Sequence, residues 1–366
     1  MKRIYYQLQP ALPAAGSNPQ LPVYACFLFI LAISAILLSR YGMPFPVSSI
    51  ITNLDIYLKG FLLFVICDFS YLLYRNRPTS PAAFIWSRYS DPVMLELFVA
   101  RLPLLLLYIA FLPLFALLKP LIPLLNPYDW DPVLIQWDRA IFGTDPWRLL
   151  QPIVGFPIVT AALAVIYHAW FGLIYPGALI FLYVRRTEGI RRQYLLAFML
   201  TWFVGGFLLA SGMASVGPCF LEAVTGDPRF SEQMAYLNAA DEQIPVVVLH
   251  VQEILLKTYL ANGPGSGAGI TAMPSMHVAI AFLFWLAIRR VSRNAGHWFF
   301  ALFVTIWIAS VHLAYHYAVD GLVSVILVTV LWRVSHIVIA RWDLHLAARA
   351  DRPATVPPSG ALFTDL

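Results

Sequence analysis

The sequence predicts an all-α polytopic integral membrane protein, and three observations predict it. Of its 366 residues, 60% are hydrophobic and only 12% are charged, with a mean hydropathy of +0.74, which lies outside the composition of soluble domains. Apolar runs able to cross about 30 Å of hydrocarbon, roughly 20 residues each, recur along the chain. The arginines cluster in short loops between alternate runs, the pattern that sets topology in a bilayer. Those loops account for the net charge of +5, so the charge does not point to a nucleic-acid partner.

The runs fall near residues 22–39, 56–74, 98–118, 157–184, 194–214, 272–289, 298–317 and 320–340, giving about eight transmembrane helices. Residues 1–94 are read as an N-terminal tail with two added helices, 95–342 as a six-helix core domain, and 343–366 as a disordered cytoplasmic tail carrying Pro353, Pro357 and Pro358. About twenty polar residues precede the first run, which ends without a small-residue cleavage site, so it reads as a retained helix. Pro103, Pro113 and Pro176 lie inside runs, where neighbouring helices can satisfy the freed backbone groups. Cys26, Cys67 and Cys219 show no paired spacing, so no disulfide framework is implied.

The basic residues orient the bundle. Arg75, Arg77 and Arg88 follow the second run; Arg185, Arg186, Arg191 and Arg192 the fourth; Arg289, Arg290 and Arg293 the sixth; Arg333, Arg341 and Arg349 end the eighth. With eight spans all of them share one side, and with Lys2 and Arg3 they place both termini in the cytoplasm. Two large loops then face outward. Residues 119–156 alternate tryptophans and prolines with charges, as in Trp137-Asp-Arg-Ala-Ile-Phe-Gly-Thr-Asp-Pro-Trp147, a composition suited to the headgroup layer. Residues 215–271 contain an expected helix at about 230–260 and end in Gly263-Pro-Gly-Ser-Gly-Ala-Gly269, which reads equally as a lid hinge or a connector.

The chemistry concentrates between Thr271 and Asp320. Pro274 suits a first helical turn, and the amides of that turn with the Ser275 hydroxyl would cradle phosphate oxygens. His277, within one turn of the cradle, can protonate a leaving alkoxide and then activate an incoming water or alcohol. His316 and Asp320 are four residues apart and face one side of a continued helix. There the carboxylate would fix the imidazole tautomer and leave the other nitrogen free to attack phosphorus. Both histidines sit at helix ends on one predicted surface, where ionisable groups suggest function.

These segments resemble a known superfamily. Pro274-Ser-Met-His277 is similar to the second signature, PSGH, of the type 2 phosphatidic acid phosphatases (PAP2), and His316-Tyr-Ala-Val-Asp320 to the HxxxD end of their third. The methionine in place of glycine, the HYxxD form and Asp138-Arg-Ala-Ile-Phe-Gly143 resemble the Aur1-type inositol phosphotransferase branch more closely. The resemblance implies a six-helix membrane core and a metal-independent enzyme with no cofactor, its site on the extracytoplasmic face. It makes His316 the nucleophile, Asp320 its orienting partner, His277 the general acid and base, and Ser275 a phosphate ligand.

The expected substrate is a lipid phosphate or phospholipid drawn from the bilayer. Resolution by a lipid or polyol acceptor makes the enzyme a transferase; resolution by water makes it a phosphatase. The first signature, a lysine followed seven residues later by Arg-Pro, is missing, since Arg77-Pro78 has Ser70 at the lysine position, and Ser310 stands where the third signature has arginine. The phosphate-binding cations are therefore sought among Arg139, Arg148, Arg229 and Lys257, with His312 sharing the role. Asp129, Asp131 and Asp138 could be drawn as a magnesium site, but the DGxxAR run of CDP-alcohol phosphotransferases is missing and no metal is expected. A proton-coupled transporter using Asp68, His168 and the histidine pair is the alternative of another class.

Overall fold

The computed structural model describes residues 18–262 and 270–350. The glycine-rich run 263–269 and the tail beyond 350 lie outside the described residues. Among those described there is helix and no strand. The chain runs α1 (Leu21–Arg40), α2 (Val47–Asn76), α3 (Pro81–Tyr89), α4 (Pro92–Leu118), α5 (Asp131–Phe142), α6 (Pro146–Val154), α7 (Pro157–Ala169), α8 (Phe171–Tyr183) and α9 (Glu188–Leu200). After these come α10 (Pro218–Thr225), α11 (Ser231–Asp241), α12 (Val247–Asn262), α13 (Met276–Val291), α14 (Arg293–His312) and α15 (Ala318–Ala350). Each predicted run is helical over most of its length.

Six helical segments are long and apolar enough to cross a membrane, or up to seven if the pair α6–α7, bent by 114°, is one span. The count falls below the expected eight for two physical reasons. Helix α13 has 16 residues, about 24 Å at 1.5 Å per residue, and the run at 157–184 is divided at Trp170 between α7 and α8. Two other expectations change. The helix expected at 230–260 is broken into α11 and α12, because Pro245 disfavours helix at the residue before it and the Asp241 carboxylate accepts the Val246 amide instead. The tail expected from 343 remains helical to Ala350, where both guanidinium nitrogens of Arg192 on α9 grip Asp343 at 2.6 and 2.7 Å.

The core forms where α13 packs against α9, α14 and α15. Every residue of α13 from Val278 to Phe284 is buried, as expected of an apolar helix surrounded by others. Phe181 of α8 stacks on Tyr194 of α9 at 3.7 Å between ring centroids. At the periphery α1 and α2 expose Leu28, Phe29, Ile36, Leu58, Leu62 and Leu63, side chains that suit contact with lipid. Beyond Leu200 the α9 segment widens into π-type turns over Thr201–Leu209, a local geometry often found at functional sites.

Candidate active site

Two chain segments meet at one end of the bundle. Ser275 caps α13, its hydroxyl accepting the Val278 amide, and His277 lies in the first turn. The end of α14 and the start of α15 supply Ser310 to Asp320. Ser324 joins the two, its hydroxyl donating to the carbonyls of Ser275 at 2.9 Å and Asp320 at 2.7 Å. Helix α15 can approach so closely because Gly321 has no side chain: a Cβ there would lie 2.1 Å from Trp307 Nε1.

The imidazole of His277 is stacked on Tyr167 at 4.1 Å and lies 4.4 Å from Trp170, both from the α7 end. Tyr315 continues the stack on Tyr167 at 5.2 Å. Across from it, the His316 ring lies 6.5 Å from that of His277. His316 Nδ1 is 3.2 Å from Asp320 Oδ2, and Asp320 is fully buried. With that carboxylate ionised, Nδ1 is the donor and Nε2 carries the lone pair. The arrangement can present a nucleophilic nitrogen on one side of a phosphoryl group and an acid on the other.

Both rings line a cavity of about 700 Å³, within the size range of small-molecule sites. The cavity wall also includes Lys119, His168, Tyr175 and Thr271, with Trp202, Gly206 and Ala210 from the widened end of α9. Helix α2 contributes Ser48, Ser49, Thr52 and Asn53. The Asn53 amide donates to the Ile109 carbonyl at 2.7 Å, which ties this polar face to α4. Lys119 follows the last residue of α4, and among the described residues no carboxylate pairs with it.

A profile of the PAP2 superfamily matches residues 132–334, the stretch that contains both histidine segments. The chain belongs to the PAP2 superfamily. Membership makes it a membrane enzyme of the phosphatase or phosphotransferase type acting on lipid phosphates. No curated protein and no solved structure matches the chain. The PAP2 match begins after Lys119 and after α2, so part of the cavity wall comes from chain outside it.

The remaining expected site residues do not line the cavity. Arg139 holds Asp145 through two bonds of 2.8 and 3.0 Å, and that pairing keeps the Asp145 carboxyl below the usual carboxylate range. Arg148 pairs with Glu232, Lys257 with Glu253, and Arg229 with Asp227. Ser275 is buried in its capping role. His312 Nε2 contacts Thr160 Oγ1 of α7 at 2.8 Å, and His312 is not among the cavity-lining residues. Asp68 sits with Arg88 and Tyr89.

Lys119 has a sequence signal of its own: it is a single lysine at the end of an apolar run, apart from the arginine clusters that follow the alternate runs. Tyr167, Trp170 and the polar face of α2 had no signal, because apolar periodicity does not say which faces meet.

Proposed function

We propose that the protein transfers a phosphoryl or substituted phosphoryl group of a lipid through a phosphohistidine on His316, with a lipid or polyol hydroxyl as the favoured acceptor. The observation that carries this reading is the convergence of His277, His316 and Lys119 on one cavity. In the first step His316 Nε2 attacks phosphorus, the bond to the leaving oxygen breaks, and His277 gives that oxygen its proton. In the second, His277 takes the proton of the acceptor hydroxyl, the new oxygen bonds to phosphorus and the bond to His316 breaks. Asp320 holds the Nδ1 proton throughout and stabilises the ring as it gains charge. Lys119 neutralises phosphate oxygens, the part left vacant by the missing signature arginines.

The transferase reading, in the manner of the Aur1-type branch, is supported by the cavity's size and by its mixed wall. Apolar side chains from α4, α8 and α9 exclude water, and the hydroxyls and amide of α2 suit a second, hydroxylated substrate. The arginine-rich helix ends, at Arg75, Arg185, Arg186, Arg289 and Arg290, lie opposite the histidine end of their helices. This supports an extracytoplasmic site with both termini in the cytoplasm.

Purified protein incubated with phosphatidic acid or phosphatidylinositol, each labelled at phosphorus, with and without ceramide, diacylglycerol or inositol, tests the reading. Label moving to an acceptor is the expected result. Quantitative release of free inorganic phosphate from phosphatidic acid in every incubation, whichever acceptor is present, would make the enzyme a phosphatase instead.

A further inference from the structure

We infer that Asp131 and Asp138 of α5 are positioning residues for the reaction, a carboxylate bracket that sets the His316 ring against His277. The inference rests on the roles proposed for the two histidines. The pair stands seven residues apart, two helical turns on one face, and both are buried.

The bracket reaches every part of the motif between the nucleophile and its partner. Asp138 Oδ2 accepts the Ala318 amide at 2.9 Å and Oδ1 the Val319 amide at 2.8 Å. Those are first-turn amides of α15, donors that have no partner within their own helix, so a carboxylate from another helix caps the catalytic one. Asp131 Oδ1 accepts the Tyr317 hydroxyl at 2.8 Å. The other motif amides are held as well: His316 N donates to the Ser310 carbonyl, Tyr317 N to Asp320 Oδ2 and Asp320 N to the Tyr317 carbonyl. The segment from His316 to Asp320 has no unassigned amide, so little freedom remains to the imidazole that hangs from it.

The same bracket extends to the other histidine. Asp131 also accepts the Val216 and Gly217 amides, both at 2.9 Å. The adjoining Ser215 receives the amides of Ala272 and Met273, on its carbonyl and its hydroxyl. These two residues lead into Pro274 and His277. Gly217 is required where the strands of this network cross: its φ is +85°, and a Cβ would come within 2.6 Å of the Tyr315 carbonyl oxygen. One helix therefore indexes both histidine segments to a common frame. No cation pairs with either carboxylate among the described residues, and burial raises the Asp138 carboxyl to about 7 in spite of its two amide donors. A bracket made of carboxylates at that cost is explained by the geometry it imposes.

The test uses the full-length protein in nanodiscs, with phosphatidic acid and phosphatidylinositol as probes and turnover expressed per folded molecule. Asp138→Asn can no longer accept both amides; the expected result is a kcat lower by about 10- to 100-fold with KM within about twofold of the parent, as for a small misplacement of reacting groups. Tyr317→Phe, which removes a single hydroxyl, is expected to lower kcat by about threefold to tenfold with the fold intact. Hydrogen exchange adds a readout independent of turnover: Asp138→Asn is expected to lose amide protection at 316–320 while α13 keeps its own.

Unchanged kcat per folded molecule in both variants, or losses matched wholly by loss of folded protein, would overturn the inference, as would unaltered protection at 316–320. A parent enzyme inactive on both lipids would instead remove the proposed function, leaving the exchange measurement to decide whether the bracket orders the motif.

Discussion

Helix α4 and the turn that caps it carry two cations that the fold treats in opposite ways. Arg101 is buried near its start, donating to the Leu182 carbonyl at 2.6 Å and to Glu188, which also pairs with Arg191. Lys119 is 18 residues further on, about 27 Å along the helix, and faces the histidine cavity with no carboxylate among the described residues. The carboxylates near the cavity are also committed elsewhere, Asp131 and Asp138 to backbone amides and Asp320 to His316. One end of the bundle neutralises its charges internally; the other leaves a cation to be neutralised from outside. An unpaired charge on a partly buried, largely apolar wall costs stability, and an anionic substrate returns that cost on binding.

The largest effect that could break this contrast is at Lys119. Lys119→Met is expected to lower turnover by at least about 100-fold, the scale of losing one preorganised donor to a reacting phosphate, with thermal stability equal to or above the parent. Lys119→Arg keeps the charge and is expected to retain about a tenth of the activity. Turnover of Lys119→Met close to that of the parent would show that the cavity recognises no anion at this point.

Arg101→Met is expected to do the reverse. Removing it leaves the Leu182 carbonyl without its donor and Glu188 with Arg191 alone, and destabilises the protein by about 2 kcal/mol, less than for a fully buried pair because Glu188 is half-exposed. Turnover per folded molecule stays near the parent value, and a thermal scan alongside the kinetic assay separates the two quantities. The smallest effects are expected from Arg139→Gln, Arg148→Gln and Lys257→Gln. These cations are engaged with Asp145, Glu232 and Glu253, and turnover measured as for Lys119→Met should stay within about twofold.

The bundle was legible because apolar run length is set by bilayer thickness, and a run such as 98–118 shows it without reference to any neighbour. The two histidine segments were legible as motifs, but the local geometry expected of them differs: Pro274 precedes the Ser275 cap instead of occupying the first turn of α13, and His316 lies in the link between α14 and α15 instead of on a continued helix with Asp320. What stayed hidden is three-dimensional. Arg139 and Lys119 are both basic residues in the same predicted loop, and only the fold shows that one meets Asp145 while the other meets the cavity. Asp131 and Asp138 had no role in the sequence once a magnesium site with Asp129 was set aside, because their partners, the amides of Val216, Gly217, Ala318 and Val319, carry no side-chain identity a sequence could display. The break at Pro245 could have been read, since proline restricts the residue before it.

The central claim is a covalent phosphohistidine on His316, and trapping it is the direct test. His277→Ala protein mixed with phosphorus-labelled lipid and quenched in alkali is expected to carry acid-labile label on the protein, because the second step lacks its base. The double variant His277→Ala, His316→Ala is expected to carry none. Label that survives in the double variant, or a parent enzyme that turns over lipid while neither His277→Ala nor the parent ever carries label, would contradict the account.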